Sequence, residues 1–207
     1  MRAIERRRGY AVKGETPIPI PEGAVRIEYV ENTSTTRLDT GYTPTADTVI
    51  QFKFMPITLS GDITLGYYIT DSNDFRFFNA GGRIYFDSFG GTRANTGTGK
   101  QVVNNIYELE LGNFYVKDLI AGSVLVDKTP KYTGIGNRTI FLNRDPYVGG
   151  RPATKNRWYY LKLYEGSVLK MYLIPIRIET VGYLYDVVSQ QTLSTAAGDW
   201  ALGPDLT

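Results

Sequence analysis

Hydrophobic and polar residues alternate along most of the chain, and the longest alternating pattern covers residues 157–205. Alternation with a period of two is typical of half-buried β-strands, and glycine often marks the turns between them. In this segment the alternating runs are separated at Glu165-Gly166 and again close to Gly182. The pattern therefore predicts three antiparallel strands, with turns at residues 165–166 and near Gly182.

The same period begins at Ala24, and polar, glycine-containing turns interrupt it about every eight to twelve residues, a spacing typical of a β-sandwich. The predicted strands before residue 157 cover residues 25–30, 48–54, 63–69, 75–78, 83–89, 102–111, 113–118 and 124–126, and a short strand around residues 140–142. Residues 112–113 close a hairpin between two of them. No heptad or long helical pattern is present, so the predicted fold class is all-β.

Residues 1–23 differ in composition from the rest of the chain. Arg6, Arg7 and Arg8 form a basic cluster, and further on Pro alternates with Ile18 and Ile20, which favours an extended polyproline-like strap. We predict a docking arm, in which the arginines attract an acidic partner surface and the isoleucines lie on another protein. The alternative is a solvated tail. The sandwich domain is then residues 24–207.

Composition excludes several functional classes. A net charge of +2 is too small for a nucleic-acid-binding protein, which needs a concentrated basic surface. With no Cys and no His, the chain lacks disulfides, thiolate nucleophiles, the commonest general base and the commonest metal ligand. The N-terminus has no secretory signal and no apolar run long enough to span a membrane. We therefore expect synthesis in the cytoplasm without a signal peptide and no membrane insertion.

Glu108 and Glu110 are the candidate catalytic pair. Residues i and i+2 share one face of a strand, which suits the carboxylate separation of a retaining glycosidase. The next alternate positions, Ile106 and Gly112, supply no third acid, and the pattern gives neither carboxyl a reason for a raised pKa. We interpret the pair as a solvated strand face and expect no enzymatic activity.

Two polar segments are candidate ligand sites. Asp71, Asn73 and Asp74 offer the oxygen ligands that calcium prefers, although Asx-rich turns are also common for backbone reasons. No other cofactor is expected.

The loop at residues 143–156 is the most chemically varied segment of the chain. Its Tyr147 is a candidate for stacking on a sugar ring, with Asn143, Arg144 and Asp145 bonding to hydroxyls.

Both ends of the chain resemble the concanavalin A-like, or laminin-G-like, jelly-roll modules found in virion proteins of gut bacteriophages and in surface proteins of gut bacteria. The C-terminal pieces are LYEG at residues 163–166, IPIR at 174–177, VGYLYD at 181–186 and a small-residue tail at 196–204. The N-terminal pieces are IEYVENTST at residues 27–35 and LDTGY at 38–42. The resemblance covers residues 24–205 and is specific at its two ends.

The resemblance implies an antiparallel two-sheet jelly-roll sandwich, with the strand at residues 25–30 beside residues 183–187. It also implies calcium binding at the sandwich rim. By function it implies a bacteriophage virion structural protein on the particle surface: a capsid decoration, a head fibre or a tail-associated protein. Such a protein would attach to other virion proteins through the arm and adhere to host-surface glycans, with self-association into a homo-oligomer left open. The alternative is a carbohydrate-binding module of a gut bacterial surface protein.

Overall fold

The computed structural model describes residues 18–33, 35–58, 63–70, 73–88, 93–128, 138–143, 155–195 and 198–206. These residues form strands, turns and irregular connections, with no helix among them. All strand pairs are antiparallel, and the strands form two sheets packed face to face. The all-β sandwich predicted from the alternating pattern is confirmed.

The larger sheet has eleven strands. They are β1 Ala24–Arg26, β2 Val30–Asn32, β4 Thr48–Pro56, β9 Tyr107–Leu111, β10 Phe114–Asp118, β11 Ser123–Lys128, β13 Asn156–Glu165, β14 Val168–Ile178, β15 Val181–Asp186, β16 Gln191–Leu193 and β17 Trp200–Leu202. Eight of them follow the order β11-β10-β9-β4-β13-β14-β15-β16, while β1 pairs with β14 and β2 lies between β13 and β17.

The smaller sheet has six strands in the order β3-β12-β5-β6-β7-β8. They are β3 Leu38–Asp39, β5 Ile63–Thr70, β6 Asn73–Ala80, β7 Arg83–Ser88, β8 Ala94–Asn95 and β12 Phe141–Leu142. Both ends of this sheet are very short strands, and short edges reduce unwanted pairing with other chains.

The core lies between the two sheets because each long strand turns alternate residues inward. In β4, for example, the even-numbered residues from Thr48 to Pro56 are buried and the odd-numbered ones are half-exposed. Phe77 of the small sheet packs edge-on against Phe52 and Phe54 of the large sheet, with ring centroids 5.1 and 5.2 Å apart. Such edge-to-face pairs stabilise a core beyond the area they bury.

The two ends of the chain meet in the large sheet. Strand β17 pairs with β2, so that Trp200 faces Asn32 and Leu202 faces Val30. Val30 also lies close to β15, because a Cβ atom on Gly182 would be 3.5 Å from its side chain. The predicted proximity of the N-terminal strand to the C-terminal strands is therefore confirmed.

Several boundaries differ from the sequence prediction. Residues 102–106 do not belong to the strand predicted over residues 102–111, since β9 begins at Tyr107. Residues 25–30 do not form one strand: β1 pairs with β14, Ile27 makes a single bridge to Asp205, and β2 then pairs with β13. The chain thus crosses from one neighbouring strand to the next, and regular pairing is interrupted between them. Gly182 lies inside β15 and not in a turn; the turn is at residues 179–180, where Glu179 has a φ of 54°.

Candidate functional site

A depression opens on the outer face of the large sheet, opposite the core. It has a volume of about 250 Å³ and lies across β4, β9, β10 and β13. Its lining consists of Gln51, Glu108, Leu109, Glu110, Tyr115 and Tyr160. The polar members point outward because their strand neighbours, such as Phe52 and Tyr107, are fully buried on the core side.

Glu108 in β9 is bound by a tyrosine in β13, two strands away in the large sheet. The Tyr160 hydroxyl donates a hydrogen bond of 2.7 Å to the Glu108 carboxylate. Burial, and then this hydrogen bond to a carboxylate, raise the pKa of Tyr160 above its usual value of 10.0. Lys53 and Lys117 are the cross-strand neighbours of Glu108, so its charge lies between two cationic side chains.

Glu110 is held by amide groups. The Gln51 side-chain nitrogen donates to one carboxylate oxygen at 2.8 Å, and the Asn113 amide donates to the other at 3.4 Å. Tyr115 is its cross-strand neighbour on β10. Both carboxylates therefore accept hydrogen bonds from neutral donors at the floor of the depression, and both are half-buried. The sequence analysis interpreted the pair as a solvated strand face, whereas each of the two residues is partly buried on the outer face of β9.

Aromatic rings and cations continue the face beyond the depression. The Lys162 ammonium lies 4.7 Å from the ring centroid of Tyr172 and 5.8 Å from that of Tyr160. The Lys53 ammonium lies 4.9 Å from the ring centroid of Tyr159, the residue before Tyr160 in β13. Burial is the main cause that raises the pKa of Tyr159 to about 12. The outer face thus carries a band of tyrosine rings with lysine ammonium groups lying over three of them.

The strap at the start of the described chain packs on this same sheet. Ile18 and Ile20 are half-buried against a second apolar cluster, centred on Ile174, Ile176 and Tyr185 on the outer side of β14 and β15. The sequence analysis expected these two isoleucines to lie on another protein. Here they contact their own domain instead, because alternate residues of β14 and β15 leave an apolar outer face that the strap covers. Arg6, Arg7 and Arg8 lie outside the described residues.

The calcium candidates are only partly described. Asp71 and the side chain of Asn73 lie outside the described residues. Asp74 is 2% exposed, and its carboxylate is 3.1 Å from the Arg76 guanidinium in an ion pair. No group of three or more acidic residues that could hold a metal ion occurs in the part of the chain that the structure describes. Calcium binding at Asp71, Asn73 and Asp74 stays a prediction.

The predicted glycan-contacting loop is described only at Asn143, Lys155 and Asn156. Arg144, Asp145 and Tyr147 lie outside the described residues. Asn143 is buried, at 1% exposure, and its side-chain oxygen accepts a 3.2 Å hydrogen bond from the Trp158 indole. Its φ of 54° is a conformation that Asn tolerates better than most residues. Asn143 therefore anchors the start of this loop to the core and does not face solvent.

The sequence analysis did not identify Gln51, Tyr115 or Tyr160 as members of a site. They come from three different strands, and only the strand order brings them together. One signal was present in the Tyr159-Tyr160 doublet between the buried Trp158 and Leu161. Two successive outward residues between two inward ones indicate a β-bulge, and the pairing of β13 with β4 shifts register there.

No family model and no curated protein matches this chain. Among the described residues, none forms a helix that is long and apolar enough to cross a membrane.

Proposed function

We propose that this chain is a non-enzymatic structural protein of a bacteriophage virion, and that its sandwich domain adheres to host-surface glycans. The observation that carries the adhesive role is the tyrosine-lined depression on the outer face of the large sheet. Sugar rings stack their C–H faces on aromatic side chains, while their hydroxyls bond to carboxylates and amides. The depression offers both kinds of group within one concave surface.

Each lining residue has a part in this proposal. Tyr115 and Tyr160 provide the stacking surface. Glu108, Glu110 and Gln51 provide oxygen and amide groups that are already oriented by their own hydrogen bonds. Pre-oriented polar groups lose less conformational entropy on binding, so the site suits a neutral or weakly charged sugar without a large rearrangement.

The virion context rests on the resemblance at the two ends of the chain. Residues in and beside the pieces that carry the resemblance are in contact in the fold. The Thr36 hydroxyl donates to the Asp199 carbonyl at 2.6 Å, and the Glu28 amide donates to the Pro204 carbonyl at 2.8 Å. The alternative, a carbohydrate-binding module of a bacterial surface protein, uses the same depression in a different setting.

Glycan binding is tested by titrating purified protein with a panel of bacterial surface polysaccharides. Tyr160→Phe removes the hydroxyl that orients Glu108, and Gln51→Ala removes the donor that orients Glu110. We expect each change to weaken binding about three- to tenfold, the size of one lost hydrogen bond. Tyr164→Phe is the matched control, since Tyr164 lies on the same strand but outside the depression. Binding that is equal in all variants would refute this site.

The proposed location on a virion is tested by electron microscopy of the phage particle that would carry this chain. Density for the two sheets on the particle surface, next to another virion protein, is the expected result. Recovery of the chain only from the host envelope, with none in purified particles, would favour the carbohydrate-binding module and overturn the virion assignment.

A further inference from the structure

The outer face of the small sheet carries a basic cluster that the proposed function does not use. Two glycine turns, at residues 81–82 and 97–99, pack against each other there. A Cβ atom on Gly82 would be 3.5 Å from the Cα atom of Gly99, and the Gln101 amide donates to the Gly82 carbonyl at 3.0 Å. This contact brings Arg83, just after the first turn, next to Thr98 in the second.

Hydroxyl groups hold the Arg83 guanidinium. Its Nε donates to the Thr98 hydroxyl at 2.8 Å, one terminal nitrogen donates to the same hydroxyl, and the other donates to the Tyr85 hydroxyl at 3.4 Å. Among the described residues, no carboxylate forms an ion pair with Arg83. The side chain is therefore fixed in place while its charge is not neutralised.

The neighbouring arginines on this face behave differently. Arg93 makes a two-pronged contact with Asp87, at 2.8 and 2.9 Å. Arg76 binds both Asp87, at 2.9 Å, and Asp74, at 3.1 Å. Their charges are thus compensated by carboxylates, and Arg83 stands apart from them as a cation held only by neutral groups.

The contacts of Arg83 leave donors available. A guanidinium has more N–H groups than these hydroxyls occupy, and each terminal nitrogen keeps one N–H. A guanidinium with free N–H groups on both terminal nitrogens can bind the oxygens of a carboxylate or sulfate. Lys100 lies one residue beyond the same glycine turn and is exposed, and its Cγ atom would be 4.0 Å from a Cβ atom on Gly97, so a second cationic residue belongs to the same turn.

We propose that Arg83, Thr98 and Lys100 form an oxyanion site that binds the carboxylate or sulfate groups of an acidic polysaccharide. The site lies on the opposite sheet from the tyrosine-lined depression and does not depend on it. A chain with both sites would contact a charged glycan on one face and stack on sugar rings with the other.

The test measures binding of dextran sulfate, polyglucuronic acid, neutral dextran and inorganic sulfate by calorimetry at low salt. We expect the two acidic polymers to bind more tightly than neutral dextran, and any binding of neutral dextran to be unchanged by substitutions at Arg83 and Lys100. Arg83→Gln together with Lys100→Gln should weaken binding roughly tenfold or more, the size of one lost two-pronged ion contact. Equal binding of inorganic sulfate would identify a simple oxyanion site, and weaker binding would show that the sugar chain contributes.

Controls separate this site from general electrostatics, from misfolding and from the depression. Lys128→Gln with Lys155→Gln removes the same charge from two exposed positions that line neither site and should change affinity little. Lys100→Gln alone alters an exposed side chain and should weaken binding without lowering the melting temperature. In a Tyr160→Phe background, the double substitution at Arg83 and Lys100 should weaken binding by the same factor as in the wild type. Equal losses in both double variants, or no binding of either acidic polymer, would overturn the proposal.

Discussion

The Tyr42 hydroxyl donates a hydrogen bond to the carboxylate of Glu165, which joins two segments 123 residues apart in the chain. Tyr42 ends the LDTGY segment near the N-terminus, and Glu165 belongs to the LYEG segment at the end of β13. The Thr45 hydroxyl donates to the other oxygen of the same carboxylate. Glu165 thus fixes the loop between β3 and β4 against the β13–β14 turn, where both segments enter the large sheet.

This contact predicts a loss of stability in acid. Burial alone would raise the pKa of Glu165, but hydrogen bonds from Thr45 and Tyr42 and the charge of Lys170 outweigh it and hold that pKa below 4.5. A lowered pKa stabilises the fold above the unfolded value, and this contribution is lost as pH falls through the folded value. We expect the stability advantage of the wild type over Glu165→Gln, measured by urea unfolding, to shrink below about pH 4.5. Glu22→Gln, in an exposed turn, is the control for the removal of one surface carboxylate.

The same contact predicts a change in alkali with the opposite sign. Burial, followed by the hydrogen bond to Glu165, raises the pKa of Tyr42 to about 12. A raised pKa stabilises the fold below the unfolded value of 10.0, and the contribution is lost as pH rises toward 12. Tyr42→Phe should therefore lose less stability than the wild type over this interval. Part of the wild-type loss should remain in the variant, because burial also raises the pKa of Tyr159 to about 12.

Two glycines with the same backbone conformation provide a test of the contact between the chain ends. Gly198 has a φ of +68°, and a Cβ there would be 2.8 Å from the Thr36 amide nitrogen. Gly166 has a φ of +56°, and a Cβ there would meet nothing within 4 Å. Alanine at either position should cost about 1–2 kcal/mol of backbone strain, and Gly198→Ala should cost more because the C-terminal segment must move. Equal melting temperatures for the two variants would show that this close approach is not needed.

Alternation and turn residues sufficed to predict most of the fold from the sequence. The hairpin at residues 112–113 is present as predicted, because Gly112 adopts a φ of 132° that favours glycine. The meeting of the two ends followed from the resemblance, and β17 with β2 confirms it. The hairpin depends on a local pattern, which a single chain displays directly, whereas the pairing of residues 200–202 with residues 30–32 does not.

The site depended on information that the sequence does not display. Glu108 and Tyr160 are neighbours only because β4 and the bulged β13 place them on one face. The position of the strap was missed for a related reason. Ile174 and Ile176 lie on the side of β14 that faces away from the other sheet, and the strand order that exposes this apolar side is not readable from the sequence.

The strap should therefore contribute to the stability of the domain. Ile18 and Ile20 are half-buried on the cluster around Ile174, so replacing either with Ala should cost about 1 kcal/mol, less than the loss of a fully buried side chain. Val188→Ala is the control, because Val188 is 46% exposed. A chain that begins at residue 18 should melt at a higher temperature than one that begins at residue 24. Equal melting temperatures would show that the strap adds nothing to the domain and would favour the docking of both isoleucines on another protein.

The carboxylate pair should bind sugars without cleaving them. Glu108 accepts from Tyr160, and Glu110 accepts from Gln51 and Asn113. Both carboxylates already accept hydrogen bonds from side chains of the protein, and the alternate strand positions Ile106 and Gly112 supply no third acid. We expect no release of reducing sugar from the polysaccharides that bind, and weaker binding in Glu108→Gln. Turnover by the wild type that Glu108→Gln or Glu110→Gln abolishes would instead make the depression an active site.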